Sequence, residues 1–170
     1  TGQQIPAQLT SQALKDSIRL GVSFPIPSTL ATYRTKPEQY VSNLLGHEGK
    51  GSLHSLLTQR GWIESLGVGT QEFDRNTSLF SVELKLTKQG KHQVPAILGL
   101  LFAQLEQLRD TEPEAWRYAE QAKVAELAFQ FQERGSTVGF VYQMAPRLND
   151  YPPEDLLVAP YLLEGFQPEL

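Results

Sequence analysis

The sequence predicts an α+β fold, a two-layer sandwich in which a mainly antiparallel sheet is covered on one face by helices. Three observations lead there. Period-two alternation appears only in the first half of the chain, at Ile18–Phe24 and Leu79–Leu86. A turn signal, Asp74-Arg75-Asn76, separates the second of these from a glycine-bearing extended run. After Thr87 the apolar residues recur almost entirely at helical spacing. Strands grouped apart from helices bury their apolar faces against each other as two layers.

Composition narrows the class. The 170 residues are 40% hydrophobic and 20% charged with a net charge of −4, which fits one globular domain with a sizeable core. An acidic balance argues against nucleic acid as a partner, because that footprint is basic. No apolar run approaches the roughly 20 residues that span a bilayer, so a membrane is not an expected partner either. The absence of cysteine excludes disulfides, thiolate zinc sites and cysteine nucleophiles. It suits the bacterial cytoplasm and periplasm equally. Residues 1–16 are polar and read as a linker or disordered lead-in, with the domain running from 17 to 170.

Ile18–Phe24 alternates apolar with small or polar residues and reads as a half-buried strand, expected to end at Pro25-Ile26-Pro27 because proline cannot donate to a ladder. Pro37 suits the first turn of a helix that carries Tyr40, Val41, Leu44 and Leu45. Gly46 and Gly49 break it. Ser52 reads as the N-cap of a second helix, Leu53–Arg60, stopped by Gly61. Glu64–Glu72 and Leu79–Leu86 then form an antiparallel hairpin. Thr87 is expected to cap a long helix with Val94, Ile97, Leu98, Leu101, Leu105 and Leu108 in one stripe. Helices from about Thr111 to Arg134 and over Val138–Leu148 follow, and a last helical piece opens at Pro152-Pro153.

The polar chemistry concentrates at Gly46-His47-Glu48-Gly49-Lys50-Gly51-Ser52-Leu53 and the strand beyond it. His47-Glu48 begins like the zinc-protease pattern HExxH, which needs a second histidine one helical turn on. Here the next is His54, about 10 Å further along even a continuous helix, so neither a metal site nor a catalytic residue is expected in this chain. A phosphate cradle fails on spacing, and Glu48 would repel the anion. Two readings of the region remain. The glycines mark a bulge beside a solvated Glu48, or they let another backbone approach an edge strand, Ser65–Thr70, with Glu48 receiving a peptide's α-amino group.

Phe24-Pro25-Ile26-Pro27, Leu45-Gly46-His47-Glu48-Gly49-Lys50-Gly51-Ser52-Leu53, Arg60-Gly61-Trp62, Pro152-Pro153-Glu154-Asp155-Leu156-Leu157 and Tyr161-Leu162-Leu163 resemble the second, non-catalytic domain of the insulysin/pitrilysin family of zinc peptidases. Pyrroloquinoline-quinone biosynthesis peptidases belong to the same family. The similarity runs from about Ile18 to Leu170. It implies a fold like that of the processing peptidases and a segment of a larger zinc metalloendopeptidase. The zinc is held in the parent's catalytic domain through HxxEH, which this chain lacks. It also implies an exosite that holds the N-terminal end of a peptide substrate as an added strand, at Asn43, Gly46, Glu48, Leu66, Val68 and Thr70, with Gly67 and Gly69 flanking Val68. Asn43, Val68 and Thr70 stand where the family usually has histidine, glycine and glutamine. Those changes bear on the strength and register of the grip. The implied partners are a peptide and the other domains of the same chain or a partner subunit. The alternative implication is a purely structural domain of an inactive partner subunit. The family would supply a closing strand beyond Gln167-Pro168-Glu169-Leu170, so one sheet edge is expected to be covered by the rest of the protein.

Overall fold

A computed structural model describes residues 7–8, 17–132 and 135–169. The elements are β1 (Ile18–Pro27), α1 (Pro37–Leu45), α2 (Leu53–Gln59), β2 (Ile63–Glu72), β3 (Thr77–Leu86), α3 (Val94–Arg109), α4 (Ala115–Gln130) and α5 (Thr137–Asp150). Apart from Ala7 and Gln8, the lead-in expected over residues 1–16 lies outside the described residues.

The sheet order is β1-β3-β2 with both pairings antiparallel. β3 is therefore central, and β1 and β2 each have one unpaired side among the described residues. Residues of even number on β3 face the helices, and Val82, Leu84 and Leu86 are 0–3% exposed. They pack with Leu66 and Ile63 of β2 against Leu45, Leu53, Leu57, Ile97 and Leu101 from α1, α2 and α3. The opposite face, including Gly21, Glu83, Lys85, Gly67 and Gly69, is open. This is the expected sandwich with one covered face.

Several boundaries differ from the sequence reading, each for a local reason. β1 does not stop before Pro25 but continues to Pro27. Ser28 N–H donates to Asn76 O at 2.9 Å, and alternation along the ladder turns the nitrogens of Pro25 and Pro27 outward. Proline costs an edge strand no hydrogen bond there. Thr87 does not cap α3. Its hydroxyl accepts from Gly90 N–H at 2.9 Å and opens a 3-10 turn over Gly90–Gln93, after which α3 begins with Pro95 in its first turn. α4 starts at Ala115, not near Thr111, and ends at Gln130 with Phe131 as its C-cap, short of the expected end near Arg134. Beyond α5 the chain makes only two short 3-10 turns, Pro153–Asp155 and Ala159–Tyr161.

Those turns are held by polar contacts across the chain. Asp155, 6% exposed, accepts from Tyr33 Oη at 2.6 Å and pairs with the Arg34 guanidinium, which also reaches Glu164 Oε2 at 2.7 Å. Lys36, in the left-handed region at φ 45°, sends its ammonium to Ala159 O at 2.7 Å. Burial pulls its pKa from 10.5 to about 8. Between those values the unfolded chain binds more protons than the folded one, so stability rises with pH through this window. Urea denaturation at pH 8, 9 and 10 should show that rise, and Lys36→Met should flatten it.

Candidate functional site

The site is built from the end of α1, the glycine turn and β2. Gly46 caps α1, with its N–H on Ser42 O at 2.9 Å. A Cβ on Gly46 would stand 3.8 Å from Val68 Cγ2, so the turn begins directly against the middle of β2. Asn43 lies one helical turn before Gly46 and is exposed. The His47 ring folds back into the space that a Cβ on Gly49 would occupy. Gly51 has φ +88°, which carries the chain into Ser52, whose hydroxyl caps α2 by accepting from Ser55 N–H at 3.0 Å. Glu48 is exposed at the tip of this turn.

The register of β2 decides what its edge presents. Phe73 N–H donates to Thr77 O at 3.0 Å. Counting back by twos, the hydrogen-bonded pairs are Gln71–Leu79, Gly69–Ser81, Gly67–Glu83 and Ser65–Lys85. The N–H and C=O groups of Leu66, Val68 and Thr70 therefore point away from β3. Their side chains turn to the covered face, where Leu66 is buried, Val68 and Thr70 are half-buried, and Thr70 Oγ1 is shielded without a hydrogen-bond partner. Gly67 and Gly69 lie on the open face with nothing within 4 Å of an added Cβ. The single register shift in β2 falls between Ile63 and Ser65. The glycines do not mark a bulge, and that reading of them is corrected.

Two contacts that the sequence reading did not anticipate anchor this strand at its ends. At the far end Glu72 accepts from Ser28 Oγ at 3.0 Å, Thr29 N–H at 3.1 Å and Thr29 Oγ1 at 2.5 Å. Burial pushes its carboxyl upward, but the hydrogen bonds from Thr29, Ser78 and Ser28 outweigh that and hold it below the usual range. At the near end Thr87 N–H donates to Trp62 O at 3.0 Å, and Gly90 sits so close that a Cβ would collide with the same carbonyl. The Thr87–Gly90 spacing, read as a turn closing on itself, was the available signal for the second. For Glu72 there was none in Ser28 and Thr29, which lie more than 40 residues away.

The family model of the Peptidase M16 inactive domain matches residues 6–124. The chain belongs to the M16 peptidase family. It is 33% identical over 157 residues to an insulin-degrading enzyme of Drosophila melanogaster, covering 92% of this chain and 16% of that protein. To the insulin-degrading enzyme of Homo sapiens it is 36% identical over 138 residues, 81% of this chain and 14% of that one. The crystal structure of pitrilysin superposes with a TM-score of 0.85 at 21% identity, over 89% of this chain and 16% of that chain, and shares the fold. The chain thus spans about one sixth of the length of these relatives, and what it matches is the family's non-catalytic domain. M16 peptidases use zinc. Among the described residues no three His, Asp or Glu side chains converge.

Proposed function

We propose that this chain is the substrate-holding, non-catalytic domain of a larger M16 zinc peptidase, gripping the N-terminal end of a peptide as a strand added along β2. The observation that carries this reading is the outward-facing backbone of Leu66, Val68 and Thr70 on an edge strand that Gly46 meets at Val68. An extended peptide pairs with such an edge through main-chain bonds and is not selected by its sequence alone. Glu48 and Asn43 stand at the end of α1 nearest that edge, where a carboxylate suits an α-amino group. The other domains of the parent chain, or a partner subunit, supply catalysis and its zinc.

Peptides carrying single N-methyl groups test this directly. Strand addition makes every second peptide N–H a donor to β2, so binding to the purified chain, followed by fluorescence anisotropy, should alternate between loss and no change along the peptide. Sensitivity without that period of two rejects the reading. N-terminal acetylation should weaken binding to the natural chain by about fivefold, roughly 1 kcal/mol, and should weaken it much less in Glu48→Ala.

A further inference from the structure

The open face of the sheet carries one row of unusual composition. Gly21, Glu83 and Gly67 stand opposite one another across β1, β3 and β2, so the exposed glutamate of the central strand has a bare neighbour on each side. Its carboxylate leans over β1, where a Cβ on Gly21 would lie 2.6 Å from Oε1. On the side of β2 nothing stands within 4 Å of an added Cβ at Gly67 or Gly69. The polar groups in the adjoining rows are already engaged. Lys85 pairs with Glu64 at 2.5 Å, and the hydroxyls of Ser23 and Ser81 share a hydrogen bond at 2.8 Å. Among the described residues Glu83 forms no ion pair, although Arg19 lies diagonally from it on β1.

We propose that Glu83 selects peptides with a lysine or arginine at the position that an added strand places beside Gly67. This selectivity rests on the strand-addition reading of β2 and adds a side-chain preference to its main-chain bonds. A peptide paired with the outward groups of Leu66, Val68 and Thr70 turns the side chains beside Gly67 and Gly69 onto the open face, because neighbouring residues across a ladder share a face. Strands lie about 4.8 Å apart, so the peptide residue beside Gly67 is two strand spacings from Glu83. A long basic side chain and a glutamate reaching toward each other bridge that span. Any side chain at position 67 would stand in the way, and glycine leaves the line open. The carboxylate has only to swing from β1 toward β2, a rotamer change that exposed side chains make freely. Once there, an unpaired carboxylate attracts a cation and repels an acidic residue.

The test is a charge scan of a peptide that binds the purified chain. Lysine, glutamine or glutamate is placed at each peptide position in turn, and every version is titrated by fluorescence anisotropy. The expected result is one open-face position at which lysine binds about two- to fivefold more tightly than glutamine, the size of an exposed ion pair, and glutamate more weakly. The effect should fade at high salt. Glu83→Gln should erase the preference, and Glu83→Lys should reverse it at that same position. Gly21→Ala denies the carboxylate its place over β1 and should strengthen the preference for lysine. Thermal denaturation checks that each variant is folded. A flat scan, or a lysine preference that survives Glu83→Gln, overturns the role of Glu83. The period-two effect of N-methylation would then still uphold strand addition. Absence of that period-two effect overturns strand addition and the role of Glu83 together.

Discussion

Replacing Val68 with proline should weaken binding of an extended peptide by about 10- to 100-fold while leaving the domain folded. The N–H of Val68 points away from β3, so the substitution removes no bond of the existing ladder, whose neighbouring pairs are Gly67–Glu83 and Gly69–Ser81. Proline is tolerated on edge strands in this orientation. What it removes is the central donor that an added strand would use, and it leaves a peptide carbonyl without a partner. Losses of that kind cost about 1–3 kcal/mol, and about 1.4 kcal/mol is a factor of ten in affinity. Gly69→Pro is the matched contrast. Its N–H lies within the ladder to Ser81, so it should lower stability as well as binding. Peptide titration and thermal denaturation of both variants distinguish the two effects. An unchanged Kd in Val68→Pro, with the melting curve intact, would reject β2 as the peptide's partner.

The sequence revealed the elements more readily than their edges. Leu79–Leu86 was legible because a central strand with one covered face must alternate, and α1, α2 and α3 because their apolar residues recur at helical spacing. Pro25 and Pro27 misled, since proline's cost depends on whether its nitrogen faces a neighbour, and that is a property of the sheet. Thr87 misled for a similar reason. A threonine before an apolar run looks like a cap, but its hydroxyl closes a turn onto Gly90 and Gly61 instead. At the site, the run Gly46–Ser52 and the residues Leu66, Val68 and Thr70 were readable through resemblance. Which of their groups face outward was not, because a one-residue change of register exchanges the two sets completely. Half-burial of an alternating strand looks the same whether its far side is covered or bare.

The corner at Gly90 is where fold and site are most tightly joined, and Gly90→Ala should cost about 3 kcal/mol, at the upper end of overpacking losses. An added Cβ would meet the carbonyl of Trp62, which is backbone and cannot rotate out of the way as a flexible side chain would. That carbonyl accepts from Thr87 N–H, and Thr87 Oγ1 donates to Gly61 O at 2.7 Å. Moving Trp62 therefore disturbs the join between the start of β2 and the end of β3, just before the register shift at Ile63–Ser65. Relief has to come from sliding β2 or unwinding the 3-10 turn that leads into α3. If β2 slides, the outward-facing groups of Leu66, Val68 and Thr70 lose their alignment with the turn at Gly46, and peptide affinity falls with stability. If the 3-10 turn unwinds, stability falls alone. Urea denaturation combined with peptide titration of Gly90→Ala separates these outcomes. Stability within about 0.5 kcal/mol of the natural chain would mean that this corner is not the anchor of the edge strand.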